Sequence, residues 1–193
     1  MLFNSFTFAL FLPIVFALYW SIGRNRIQYQ NILLLLASYV FYGWWDWRFL
    51  SLIVISSIVD YIVGLKLGNK KSSHRKLLLG LSLAVNLGFL GVFKYYDFFT
   101  ASFADLISSF GLQANLRTLK IILPVGISFY TFQTLSYSID IYRKKIEPTR
   151  DITAFFAFVA FFPQLVAGPI ERASKLLPQF IKKRTFTPAL AED

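Results

Sequence analysis

Cysteine is missing from the 193 residues, which excludes disulfides, thiolate zinc sites and a thiol nucleophile. Histidine occurs once, at His74, and neither it nor the acids show metal-ligand spacing. No glycine-rich phosphate loop follows a strand pattern. We therefore expect no metal and no bound cofactor. Charge is scarce as well: 16% of residues are charged, against about 25% in a soluble domain. There is no internal repeat, low-complexity linker or soluble domain. The first apolar run has no basic region before it and no small-residue cleavage site after it. It reads as a retained span and not as a removable signal peptide.

What fills the chain is apolar and aromatic. Hydrophobic residues make up 56% and aromatics 19%, and the mean hydropathy is +0.56. Several runs approach the roughly 20 residues that cross a bilayer. The fold class is all-α: a polytopic transmembrane protein with about five to six membrane segments plus interfacial and re-entrant helices. We place the segments at 6–22, 31–45, 49–67, 77–93, 119–142 and 152–166, within one membrane domain spanning 1–193. Trp44, Trp45, Asp46, Trp47 and Arg48 mark an abrupt turn at the membrane surface. The stretch 95–110 mixes aromatics with Asp97, Thr100, Ser102 and Asp105, which suits an amphipathic helix lying in the interface. Residues 174–181 form a short surface helix.

The formal net charge of +10 is distributed as a topology signal. Arg24 and Arg26, the cluster from Lys66 through Lys70, Lys71, His74, Arg75 and Lys76, and Arg143 to Arg150 follow spans one, three and five. Arg48, Lys94, Arg117 and Lys120 on the other side are partly offset by Asp46, Asp97 and Asp105. Lys and Arg near span ends favour the cytoplasm, so the N-terminus is expected outside. The clusters can also touch anionic membrane lipid; nucleic acid is not an expected partner.

Candidate chemistry lies in two pieces. In Pro124 to Arg143, Gln133, Ser136 and Asp140 are separated by three and then four residues, so on a helix they share one face. Arg143 extends this stripe and stands one turn from Asp140, within reach of a local ion pair. Thr131, Thr134 and Ser138 make a weaker stripe opposite. In Phe161 to Phe180, Pro163, Gly168 and Pro169 interrupt an apolar run beside Gln164 and Glu171. Pro removes a backbone donor, and non-helical backbone at membrane depth survives only inside protein or along a wet cavity. The break therefore marks either an intramembrane site or a packing kink. Asp60, midway along the third span, either functions or bonds a neighbouring helix through a hydroxyl or amide. His74 lies in the most solvated loop, a poor place for a general base.

FYTFQTLSYSIDIYR (129–143) followed by FFPQLVAGPIER (161–172) resembles the bacterial branch of the membrane-bound O-acyltransferase family. MLFNSFTFALFLPIVFALYW at the start, FYGWWDWRFL (41–50) and FKYYDFF (93–99) are similar to its alginate-acetylating members. The similarity runs along essentially the whole chain, in the order of the N-terminal portion of such proteins. It implies acyl transfer, acetyl first, to hydroxyls of an extracytoplasmic polysaccharide such as alginate, at the bacterial inner membrane. The acyl donor, acetyl-CoA or a carrier-linked acyl group, would be a substrate, and partner proteins of an acyl-transfer or export complex are implied.

The same resemblance implies a catalytic histidine in a C-terminal half, and no residue of this sequence matches it. We assign no catalytic residue to this chain and expect it to be a piece of a longer protein, inactive alone. Its contribution would be part of a tunnel wall, from Gln133, Ser136, Asp140, Gln164, Gly168, Pro169 and Glu171. D-alanyl transfer to teichoic acid, a non-catalytic scaffold and a transport subunit are the competing readings.

Overall fold

The computed structural model describes residues 3–22, 26–69, 74–110, 126–169 and 171–184. Arg24, Lys70, Lys71, Arg117, Lys120 and the first turns expected of the fifth span lie outside them. Seven helices and no strand occur among the described residues: α1 (Phe6–Ser21), α2 (Ile27–Gly68), α3 (Arg75–Ser109), α4 (Ile127–Tyr142), α5 (Ile152–Val159), α6 (Phe162–Ala167) and α7 (Ala173–Ile181).

Local chemistry sets the element ends. Ser5 starts α1 by accepting the Phe8 N–H at 3.2 Å, and Asp151 starts α5 by accepting that of Ala154 at 2.9 Å. α2 is two helices joined at Asp46, whose φ of −159° and ψ of 112° are extended. Asp46 caps the second half. Its carboxylate accepts the Arg48 N–H at 2.9 Å and pairs with the Arg48 guanidinium at 2.7 Å. The turn expected in the WWDW cluster is this one residue. α4 begins at Gly126, with φ of 81°. A β-carbon there would stand 3.3 Å from the Leu165 carbonyl oxygen, so handedness and space both call for glycine.

Boundaries differ from expectation in two places. The segment expected at 152–166 is parted at Ala160 and Phe161 into α5 and α6, where Pro163 cannot supply a backbone donor to the preceding turn. The break anticipated near Lys94 is absent, and α3 continues as a single helix to Ser109. No proline or glycine interrupts positions 92 to 109, and the polar residues are accommodated along the helix. Thr100 donates to the Tyr96 carbonyl at 2.9 Å, and Ser108 to that of Asp105 at 2.8 Å. Periodic polarity alone does not end a helix.

The core is built on α5. Ala154, Phe155, Ala157, Phe158 and Val159 are all fully buried. Phe155 packs on Tyr137 of α4 and Tyr61 of α2, with ring centroids 4.6 Å and 5.6 Å apart. Phe162, just beyond, packs on Phe41 of α2 and Phe11 of α1 at 5.3 Å and 5.5 Å. The outside is apolar as well: Leu10, Ile14, Phe16, Leu77, Leu81, Val92 and Phe98 are exposed. Contiguous apolar surface on this scale faces lipid or other protein. Asp46–Gly68 and Arg75–Ser109 are each long and apolar enough to cross a membrane; Phe6–Ser21 is shorter.

Candidate functional site

The segment from Thr149 to Ile181 changes direction repeatedly inside the protein, and each change leaves backbone groups without helical partners. Side chains of α2, α4 and the segment itself take them up. Tyr137 accepts the Thr149 N–H at 3.2 Å. At the end of α5, Gln133 donates through Nε2 to the Phe158 carbonyl at 2.7 Å. Ser38 accepts the Phe162 N–H at 3.2 Å. Gln164 donates through Nε2 to the Pro169 carbonyl at 3.1 Å. Ser136 accepts the Ala173 N–H at 3.1 Å, at the start of α7, and Asn31 donates to the Phe180 carbonyl at 2.8 Å, near its end. Buried backbone must be satisfied by something, and here side chains satisfy it.

The structure thus brings together Gln133, Ser136, Gln164, Gly168 and Pro169. The Gln133 and Gln164 side chains also touch at 3.5 Å, and both are buried. Gly168 is needed for closeness: a β-carbon there would lie 2.9 Å from the Gln164 Cα. No hydrogen bond among the described residues joins the Asp140 or Glu171 side chain to this cluster. Asp140 is 6% exposed, and its Oδ2 is buried without a hydrogen-bond partner among the described residues. The ion pair with Arg143 does not form; among the described residues Arg48–Asp46 is the single pair. Glu171 is half-buried. Asn31, Ser38 and Tyr137 belong to the site and were not singled out from sequence. The available signal was spacing: Asn31 and Ser38 are two polar residues seven apart, hence on one face.

A second polar cluster lies between α2, α3 and α4. Asp60, Ser82, Asn86, Thr134 and Ser138 are each fully buried. The Asp60 carboxylate accepts from the Ser82 hydroxyl, from the Ser138 hydroxyl at 2.9 Å and from the Asn86 amide at 2.6 Å. The Asn86 oxygen in turn accepts from Ser56 and from Thr134 at 3.1 Å. Asp60 therefore bonds neighbouring helices through both hydroxyls and an amide. The weaker stripe of α4 is the one that meets it, while the stronger stripe holds the broken segment.

Chemically, these clusters position backbone and helices. Glutamine amides and serine hydroxyls engaged in this way orient groups and do not ionise at neutral pH. His74 is exposed at the start of α3, remote in kind from the protected base that acyl transfer needs.

The chain is 45% identical over 188 residues to "Probable alginate O-acetylase AlgI" of Pseudomonas putida, covering 95% of this chain and 37% of that protein. The protein of that name from Pseudomonas aeruginosa is also 45% identical, with 95% and 35% covered. A peptidoglycan O-acetyltransferase of Helicobacter pylori is 36% identical over 213 residues, with 95% and 39% covered. The chain thus spans little more than a third of the length of these relatives. No family model matches it, and no solved structure matches it either. The resemblance read along essentially the whole chain is met by these relatives over 95% of it.

Proposed function

We propose that this chain, a homologue of the O-acetylase branch of the membrane-bound O-acyltransferases, supplies part of the membrane core of an enzyme that acetylates hydroxyls of an extracytoplasmic polysaccharide. The observation that carries the reading is the broken segment 149–181, held in shape by Gln133, Ser136 and Gln164. Irregular backbone is kept at membrane depth where it is buried in protein or lines a wet cavity; the second is our reading, because a transferase joining a donor on one face to an acceptor on the other needs a cavity. In this reading Gln133, Ser136, Gln164, Gly168 and Pro169 shape the wall. Asp140, with its unsatisfied oxygen, and Glu171 are the groups that face what passes. The base that takes the acceptor proton would come from a histidine outside this chain, and the acetyl donor would be acetyl-CoA or a carrier-linked acyl group.

The arrangement in the membrane follows from charge. With the N-terminus outside the inner membrane, the basic ends of α1, α2 and α4 face the cytoplasm. Helices α1, both halves of α2, α3 and α4 then serve as the spans. The segment 149–181 enters and leaves on the cytoplasmic side. The Arg150 carbonyl, bonded by Tyr61, and Arg184, bonded to Tyr19 and Asn31, support that path. Partner proteins of an acyl-transfer or export complex would dock on the exposed apolar faces. The name of the Helicobacter pylori relative favours a second acceptor, peptidoglycan, for the same reaction.

The test is made at the intact locus. Strains carrying Gln133→Leu or Gln164→Leu are compared with the unaltered strain for base-labile acetate on exopolysaccharide and on peptidoglycan. A displacement of about 1 Å in a reacting geometry costs on the order of a hundredfold in rate, so ester acetate should fall at least tenfold, with the protein still in the membrane. Unchanged acetate on both polymers would overturn the reading, and ester-linked D-alanine in its place would redirect it to teichoic acid.

A further inference from the structure

A cavity of about 330 Å³ opens between α1 and the end of the chain's described part, outside the cluster around Gln133. That volume is within the range of small-molecule sites, roughly 300–1,000 Å³. Its walls are apolar, from Leu12, Val15, Phe16, Leu34, Phe162 and Leu176. Toward Leu12 the wall includes Phe162, which packs on Phe11 behind it. The other end carries charge: Arg184, at the rim, is half-buried against Tyr19 and Phe180, its guanidinium 5.5 Å and 5.2 Å from their ring centroids.

Arg184 is held rigidly there. Nε donates to the Gln179 carbonyl at 2.9 Å, Nη1 to the Tyr19 hydroxyl at 2.7 Å and Nη2 to the Asn31 oxygen at 2.8 Å. Those bonds use three of the five guanidinium N–H groups. One N–H on each terminal nitrogen remains to donate to an anion such as phosphate. Lys182, exposed, stands two residues away. Trp20, next to Tyr19 on α1, also lines the cavity, as an interfacial aromatic would.

An apolar slot with a preorganised cation at one end has the polarity of a single anionic lipid. The geometry points to a phospholipid site: one acyl chain lies between α1 and α7, and the headgroup phosphate sits on Arg184 and Lys182. The inference uses the membrane setting proposed above and not the acetyl transfer. It deepens the account of basic clusters at membrane surfaces by giving one of them a defined seat.

The protein, purified in neutral maltoside micelles, is mixed with dioleoyl phosphatidylglycerol, dioleoyl phosphatidylcholine or inorganic phosphate, and bound molecules are counted by native mass spectrometry. Phosphatidylglycerol should be retained at least tenfold better than phosphatidylcholine, and phosphate should not displace it. Leu12→Trp, at a partly exposed wall position, should reduce retention of both lipids. Lys182→Gln should narrow the preference with helicity unchanged, and Lys182→Gln with Arg184→Gln should abolish it. Equal retention of the two lipids would overturn the proposal. So would displacement by phosphate alone, full retention in Leu12→Trp, or a cavity closed by dimerisation. None of these results depends on acetylation, so a failed transferase assay leaves the site standing, and the reverse.

Discussion

The side-chain amide of Gln133 donates to the Phe158 carbonyl at 2.7 Å, across 25 positions of sequence. This bond closes the C-terminal end of α5, where the carbonyl has no helical donor. Replacing Gln133 by Leu keeps the bulk and removes the donor, leaving a buried oxygen unsatisfied at a cost of about 1–3 kcal/mol. Thermal unfolding in detergent should show the loss, and Gln133→Glu should not rescue it, because a carboxylate cannot donate. A midpoint unchanged in Gln133→Leu would mean the bond contributes nothing.

Much of this was legible in the sequence, and the limits have physical causes. Gln133, Ser136 and Gln164 announced themselves because polar side chains in apolar runs need partners. Which partners they find depends on where the breaks fall in space. The fracture at 163–169 was visible through Pro163, Gly168 and Pro169, but its acceptors and donors on α2 were not, since Asn31 and Ser38 look like ordinary small polar interruptions. Asp140 shares the helix face of Gln133, yet lies near the end of α4, beyond the bonds that the broken segment offers. The continuity of α3 past Lys94 was hidden for another reason: aromatic and acidic alternation suggests an interface, whereas only a breaker ends a helix.

Gly64 leaves room on α2 for the Tyr137 ring of α4. A β-carbon at that position would stand 2.5 Å from the Tyr137 ring, and that ring carries the hydroxyl that accepts the Thr149 N–H. Tyr137 is fully buried and has nowhere to yield. Gly64→Ala should destabilise by about 1–3 kcal/mol, the usual cost of overpacking. Gly88→Ala, at an α3 position with open space around it, should be neutral or slightly stabilising. Equal midpoints for the two variants would remove the argument from contact.

Lys144 adopts φ of 59°, the left-handed region, just after α4. The Lys144 N–H bonds the Ile141 carbonyl at 2.9 Å, and the Lys145 N–H bonds that of Asp140 at 2.8 Å. This is a Schellman end with a lysine where glycine is usual. Lys144→Gly should therefore raise stability by up to about 1 kcal/mol, and Lys144→Val should lower it by a similar amount, since β-branched residues tolerate that region poorly. Chemical unfolding of the two variants side by side checks the sign; a lower midpoint for Lys144→Gly contradicts the assignment.

Asp60 and Asn86 offer the sharpest test, because their chemistry can be exchanged. In Asp60→Asn the new amide can still accept from Ser82 and Ser138 through its oxygen, but its nitrogen then meets the donating nitrogen of Asn86. That variant should lose about 1–3 kcal/mol. Asp60→Leu, which strands three buried donors, should lose more and reduce the yield of folded protein. The exchange Asp60→Asn with Asn86→Asp restores complementarity. Position 60 would donate to a carboxylate at position 86, whose other oxygen still accepts from Ser56 and Thr134. Only the present bond from Asn86 to the Ser82 carbonyl, 2.9 Å long, is given up. The double variant should thus be more stable than Asp60→Asn alone, a coupling of about 1 kcal/mol or more in a double-mutant cycle. Additive losses would show that Asp60 is held by something other than this hydrogen-bond pattern.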